Sequence, residues 1–364
     1  ALAAGVAAAQ LVGPIEQLID ADPDDESLRR LHAAALVQSG AASERQGAAW
    51  RWLLARSPCD PGHLAGLRQV YLGAGAGSAA TELSRLRLAL GVEDQTDLEL
   101  VERASSRDRL WPVRPLSAMD RRLIWGEGAT VTWVALLARL GHALPELFRA
   151  PSSPAAPAHG GLPERARQVA AVLGVQIGTV SLDDRPPEQL ELTGTTLWLS
   201  QGLARLAPAE QTFVLGVGIE LNFHDVAWLL RWGSSALDDV LLALAATVDA
   251  RFGQRVNPAR GAALVARVRA RLPGLQPDLK LLSELLQVRT VRRARAEIMG
   301  CAHRVGLTLC GGVGPALAAL ERLHLLHGGD PSQPAPGVDG LARWVASDPW
   351  NALRRRLGLE RSGP

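Results

Sequence analysis

Between Gln211 and His224 the chain reads QTFVLGVGIELNFH, and Glu220 is the only charged acid or base in it apart from the closing histidine. A carboxylate among apolar helix residues is costly unless a partner neutralises it or it binds a proton. His224 follows at i+4, so the two side chains share one helix face. Such a pair could hold part of a metal ion's shell. Glu297 and His303 lie on a later helical stretch, RAEIMGCAHRVGL. Glu220, His224 and His303 therefore make a geometrically feasible Glu/His/His metal set. The alternative assigns His224-Asp225 to the end of the helix, where a histidine suits the negative pole of the helix dipole. If Glu220 is buried, the arginines of 289–296, RTVRRARA, are the expected partners.

Other chemistry finds less support. Gly311-Gly312-Val313-Gly314 follows a helical stretch with no strand leading in and no GK[ST], so it reads as a helix stop rather than a phosphate loop. Cys301 and Cys310 are too far apart on one helix to pair. Ser200, Ser234 and Ser235 lack a GxSxG setting. His142, alone on an apolar helix, reads as a packed or surface residue. The basic clusters Arg292–Arg295 and Arg354–Arg356 are short and have acidic neighbours, so solvated faces or ion pairs are expected, not a nucleic-acid grip.

These residues need elements to position them. Leading into the central helix, expected at about 208–224, is an apolar, strand-like piece, Thr196–Ser200, and a short helical turn. Before that come an amphipathic helix, Pro163–Leu173, a strand over Val175–Leu182 and a second over Leu190–Leu199. Helices are expected afterwards at 236–252, 258–271, 276–308 and 315–326, with a terminal helix carrying Trp344, Trp350 and Arg354–Arg356. Residues 150–162, APSSPAAPAHGGL, have linker composition. The predicted fold is mainly α: helical hairpins over 1–149, the linker, then an α+β domain over 163–364 with a small sheet and a helical core. Residues 130–147 read as one long apolar helix.

With 364 residues the chain can bury two or three real cores. The net charge of +2 gives no global signal for nucleic acid. Lys280 is the only lysine among 39 basic residues. Three scattered cysteines, Cys59, Cys301 and Cys310, exclude a disulfide framework and point to a reducing, cytoplasmic setting. No apolar run reaches membrane-spanning length, so no span is expected. The opening residues, from Ala1, read as the second helix of a hairpin whose first helix would lie upstream. Ten tryptophans against one tyrosine and four phenylalanines supply candidate interface anchors at Trp50, Trp52, Trp344 and Trp350.

Over residues 2–90, Pro23 and Pro58 sit in similar acid-rich turns 35 positions apart. Each turn precedes a helix with apolar residues at helical spacing: Leu28, Leu31, Ala35 and Leu36, then Leu64, Leu67, Val70 and Tyr71. This quarter of the chain resembles tetratricopeptide repeats, whose period is about 34 residues. The resemblance implies a protein-binding scaffold.

Residues 163–310 resemble the gluzincin-type zinc peptidases of the CAAX-prenyl-protease and heat-shock-peptidase group. The resemblance rests on LGVQ before the first strand, on TLWLSQGL, on FVLGVGIELNF in place of the HExxH helix, and on CAHRVGL in place of a later acid-bearing helix. In that group two histidines at i and i+4 bind zinc, the glutamate between them activates water, and a glutamate on the later helix completes the shell. By position the histidines become Ile219 and Phe223, the base stays as Glu220, the third ligand becomes Met299 and the later aspartate becomes His303. Ile and Phe cannot donate a lone pair, and Met suits zinc poorly. Hence the resemblance implies a pseudopeptidase without a cofactor, its metal replaced by an apolar plug of Ile219, Phe223 and Met299 beside a hydrogen-bonded Glu220. His224 is turned about 100° from the ligand face marked by Phe223. The expected function is a non-catalytic scaffold or assembly subunit with other proteins as partners. The alternatives are a metal-dependent hydrolase with rearranged ligands and a tetratricopeptide-type adaptor.

Overall fold

A computed structural model describes residues 8–105, 111–148, 156–157, 161–232 and 234–360. The chain is mainly α with one small sheet, and it forms two compact units. The first comprises residues 1–113, 311–324 and 329–364; the second comprises 114–310 and 325–328. This differs from a division at 150–162. Most of that segment lies outside the described residues, and Ala156–Pro157 within it is a two-residue strand.

The first unit begins with α1 (Ala8–Ala21), α2 (Glu26–Gln38), α3 (Ser43–Arg56), α4 (Pro61–Gly73), α5 (Gly77–Ala89) and α6 (Gln95–Ser105), each packed on the next. The turns repeat their chemistry at the spacing of the prolines. Asp25 accepts from the backbone N–H groups of Ser27 and Leu28 (2.8 and 3.0 Å) and so caps α2. Asp60 caps α4 through His63 N (2.8 Å). Gly40 and Gly75 take left-handed φ values of 68° and 72° past the ends of α2 and α4. An aspartate satisfies orphan N–H groups at a helix start, and glycine alone enters the left-handed turn without cost.

Leu36, Leu53, Leu64, Leu67, Leu83 and Leu86 are all fully buried in this unit. Each contributes about 1.5–3 kcal/mol by leaving water. Asp97, also fully buried, is paired with Arg68 and with Arg87 Nε (2.7 Å). The last helices of the chain return here. Glu82 of α5 accepts from Trp350 Nε1 (3.3 Å) and pairs with Arg354, both on a helix at 348–356. Trp50, Trp344 and Trp350 are thus buried core residues, not free anchors, while half-buried Trp52 lies under the guanidinium groups of Arg29 and Arg56.

The second unit opens with α7 (Ala118–Trp125), α8 (Ala129–Ala143) and the short α9 (Pro145–Phe148). Pro145 ends the long helix expected over 130–147. The sheet contains β1 (Ala156–Pro157), β2 (Thr179–Asp183), β3 (Glu191–Thr193) and β4 (Thr196–Ser200) in the order β1-β2-β4-β3. β2 and β4 run parallel, and the two edge strands run antiparallel to them. The strand expected over 190–199 is instead a hairpin, turned at Gly194 with φ 60°. α10 (Gly161–Leu173) links β1 to β2 and packs on α11 (Pro208–Phe223).

Beyond α11 come α12 (Ser234–Ala246), α13 (Pro258–Val268), α14 (Gln276–Val288) and α15 (Val291–Leu309). The single helix expected at 276–308 is broken because Thr290 caps α15 by accepting from Arg293 N (3.2 Å). α15 stops at the glycines, with Gly311 at φ 86° and Gly312 at φ 141°. The chain continues in the first unit with most of α16 (Val313–Leu326), then α17 (Val338–Val345) and α18 (Asp348–Arg356).

Candidate site around Glu220

α11 is buried on every side from Glu210 to Leu221, as expected of a core helix. It crosses α15 at a pair of glycines. A Cβ on Gly216 would stand 3.0 Å from the Gly306 Cα, and one on Gly306 would stand 2.7 Å from the Phe213 carbonyl oxygen. Neither position has room for a side chain, so the two backbones meet directly. On the sheet side, Asn222 ties α11 to the edge strand. Its Oδ1 accepts from Leu192 N (2.8 Å), and its Nδ2 donates to the carbonyls of Leu190 (3.3 Å) and Gly218 (2.8 Å).

Glu220 has no exposed surface. Trp125 Nε1 donates to its Oε1 at 2.9 Å. Arg121 Nε donates to Oε1 at 3.2 Å, and Arg121 Nη2 to Oε2 at 3.3 Å. His224 Nε2 stands 3.3 Å from Oε1, and the His224 ring meets that of Trp125 edge-on with centroids 4.5 Å apart. Two i, i+4 pairs, one on α7 and one on α11, therefore face each other. Burial alone would push the Glu220 carboxyl up. Its contacts with His224 and with the Arg121 charge outweigh that and hold it below the usual carboxylate range. A carboxylate held by a guanidinium and an indole is a weak proton acceptor.

Arg121 is itself fixed. Its Nη2 donates to the Leu173 carbonyl (2.6 Å) at the end of α10, and the Phe223 ring covers it at 4.1 Å. α7 is held in turn by a capping box between Ser117 and Asp120, by Arg114 on Asp120 (2.6 Å) and by Arg304 Nη1 on the Ile124 carbonyl (2.8 Å).

Several expectations need correction. The arginines of 289–296 do not serve Glu220. Arg289 and Arg293 pair with Glu297, which also accepts from Thr130 (3.1 Å), and Arg295 donates to the Leu229 carbonyl (3.3 Å). The apolar plug is not closed. Ile219 is buried and Met299 partly so, but Phe223 is 46% exposed. Its ring is turned outward over Arg121 because Phe223 is the last residue of α11. Of the Glu220, His224 and His303 set, only Glu220 and His224 are shown in contact. No group of three or more His, Cys, Asp or Glu side chains that could hold a metal ion occurs among the described residues.

His303 lies against the Phe213 ring, centroids 5.8 Å apart, with Nδ1 enclosed and unbonded among the described residues. Burial pulls its imidazole down to about 4, so it is neutral at pH 7. His224 N donates to the Glu220 carbonyl (3.2 Å), and Asp225 takes φ 58°, so these residues do close the helix. His142 is at the surface, 3.3 Å from Asp225.

Arg121 and Trp125 are the site residues that the sequence reading missed. Their signal was local: Ser117 and Asp120 form a capping pattern that starts a helix at Ala118, and Arg121 and Trp125 then share a face. No helix among the described residues is long and apolar enough to cross a membrane. No model of a known protein family matches the chain, and no curated protein or solved structure matches it.

Proposed function

We propose that this chain is a non-catalytic interaction subunit: tetratricopeptide-like helical hairpins joined to a domain of zinc-peptidase descent that no longer hydrolyses peptides. The observation that carries the reading is the state of Glu220. At the position of the water-activating base it is buried, ionised and held by Arg121 and Trp125. The positions of the two metal-binding histidines hold Ile219 and Phe223, and that of the third ligand holds Met299. A carboxylate needed as a base would lose its purpose in an ion pair of this kind.

The same reading takes other proteins as partners, in a larger assembly, and a cytoplasmic setting in which Cys59, Cys301 and Cys310 stay reduced. The repeated turn chemistry of Asp25 and Asp60, and of Gly40 and Gly75, supports the helical-repeat part. The test is hydrolysis of a quenched fluorogenic peptide library in the presence of added zinc. No turnover, and none lost on Glu220→Gln, is expected. Zinc-dependent turnover abolished by Glu220→Gln would establish the hydrolase instead.

A further inference from the structure

α18 meets three successive helices of the first unit at once. Arg51 Nη1 of α3 donates to the Asp348 carboxylate at 2.7 Å. The Tyr71 hydroxyl of α4 lies near Asp348 and Asn351. Glu82 of α5 accepts from Trp350 Nε1 at 3.3 Å and pairs with Arg354. Arg51, Tyr71 and Glu82 therefore share one face of the hairpins, and α18 lies on it. Trp350, Leu353, Arg354 and Leu357, at i, i+3, i+4 and i+7, are all buried, whereas Arg355 and Arg356 are exposed. That is the spacing with which a helix docks into a groove. Tryptophan and arginine are also the side chains on which the energy of such contacts concentrates.

The α18 helix is specified by its own residues: Ser347 caps it, Asp348 and Pro349 open it, and three arginines occupy its last turn. The face beneath it keeps its own counter-charges. Glu82 also pairs with Arg85 of α5 at 2.5 Å, and Arg51 is partly exposed. Lifting α18 away therefore strands neither charge in the interior.

We propose that α3, α4 and α5 form a helix-binding face and that α18 is its built-in occupant, an autoinhibitory contact that a partner must displace. The partner it fits is a helix with a carboxylate at its start, then a tryptophan, then an arginine one turn later. The proposal rests on the interaction-subunit reading and names the partner's chemistry. A tethered helix competes at an effective concentration on the order of millimolar. A free helix of equal affinity therefore binds only where α18 is weakened.

The probe is a fluorescein-labelled peptide of residues 346–360, ASDPWNALRRRLGLE, titrated with the full chain. W350A/R354A, whose own α18 is weakened, is expected to bind it about tenfold more tightly than wild type. Adding E82Q to that variant should weaken the peptide about tenfold again. Hydrogen exchange over residues 26–89 shows whether the hairpins stay folded. Where the double variant loses protection throughout that range, R354A takes its place in the titration. Wild type that binds as tightly as the variant, or a folded variant that binds no peptide, overturns the proposal. The same loss of protection in R354A overturns it too, since α18 is then part of the hairpins' own core. Zinc content of the same preparation is read separately: stoichiometric zinc would defeat the interaction-subunit reading whatever the peptide does.

Discussion

Trp125 and Glu220 are joined by a 2.9 Å hydrogen bond from an indole N–H to a carboxylate with no exposed surface. The bond connects a two-turn helix to the last turn of the core helix. Glu220 takes a second, charged partner from the same short helix, Arg121. The stability of the second unit should therefore depend on α7 far more than the length of that helix suggests.

Removing the guanidinium leaves a buried carboxylate with one strong donor. Arg121→Ala should cost about 3–5 kcal/mol, because breaking a buried pair strands the other charge. Trp125→Phe, which keeps one aromatic ring but deletes the donor and the rest of the indole, should cost about 1–3 kcal/mol. Arg121→Ala combined with Glu220→Gln should recover part of the loss. Urea denaturation of the three variants measures this, and equal stability of Arg121→Ala and wild type would contradict it.

The folded-state value of His303 lies below its unfolded value, about 4 against 6.5. Between those values the unfolded chain binds the extra proton. Stability should thus be intact above about pH 6.5 and fall as the pH drops toward 4, by an amount on the order of 2–3 kcal/mol. His303→Leu removes this titration, so its loss of stability over the same window should be smaller. Parallel wild-type and variant stability curves between pH 6.5 and 4 would show that His303 is not the group responsible.

The glycine crossing should be intolerant of a methyl group. Gly306→Ala places a Cβ 2.7 Å from the Phe213 carbonyl oxygen, which cannot move without shifting α11. A loss of about 1–3 kcal/mol is expected, although alanine is the better helix former by about 1 kcal/mol. Gly300→Ala is the control on the same helix: its Cβ would meet nothing within 4 Å. Thermal melts in which Gly306→Ala is no less stable than Gly300→Ala would refute the close crossing.

Much of this was legible along the chain. The acid in an apolar helix, the capped turns after Pro23 and Pro58 and the glycine stop after α15 all depend on residues close in sequence. What escaped depends on contacts distant in sequence. Arg121 reaches Glu220 across 99 positions, and nothing about Glu220 alone distinguishes that arginine from those of 289–296. Trp350 reaches Glu82 across 268 positions and Arg354 pairs with the same side chain, so the return of the last helices to the first unit left no periodic signal. The break between α14 and α15 was hidden because Thr290 interrupts a pattern that is otherwise helical throughout.

Metal content is the most direct test of the central claim that Glu220 serves an ion pair rather than a metal-bound water. The purified chain, equilibrated with micromolar zinc and then dialysed, is assayed by elemental analysis beside Arg121→Ala. The account expects far less than one zinc per chain in the wild type. About one zinc per chain, lost on Glu220→Ala or His224→Ala, would contradict it.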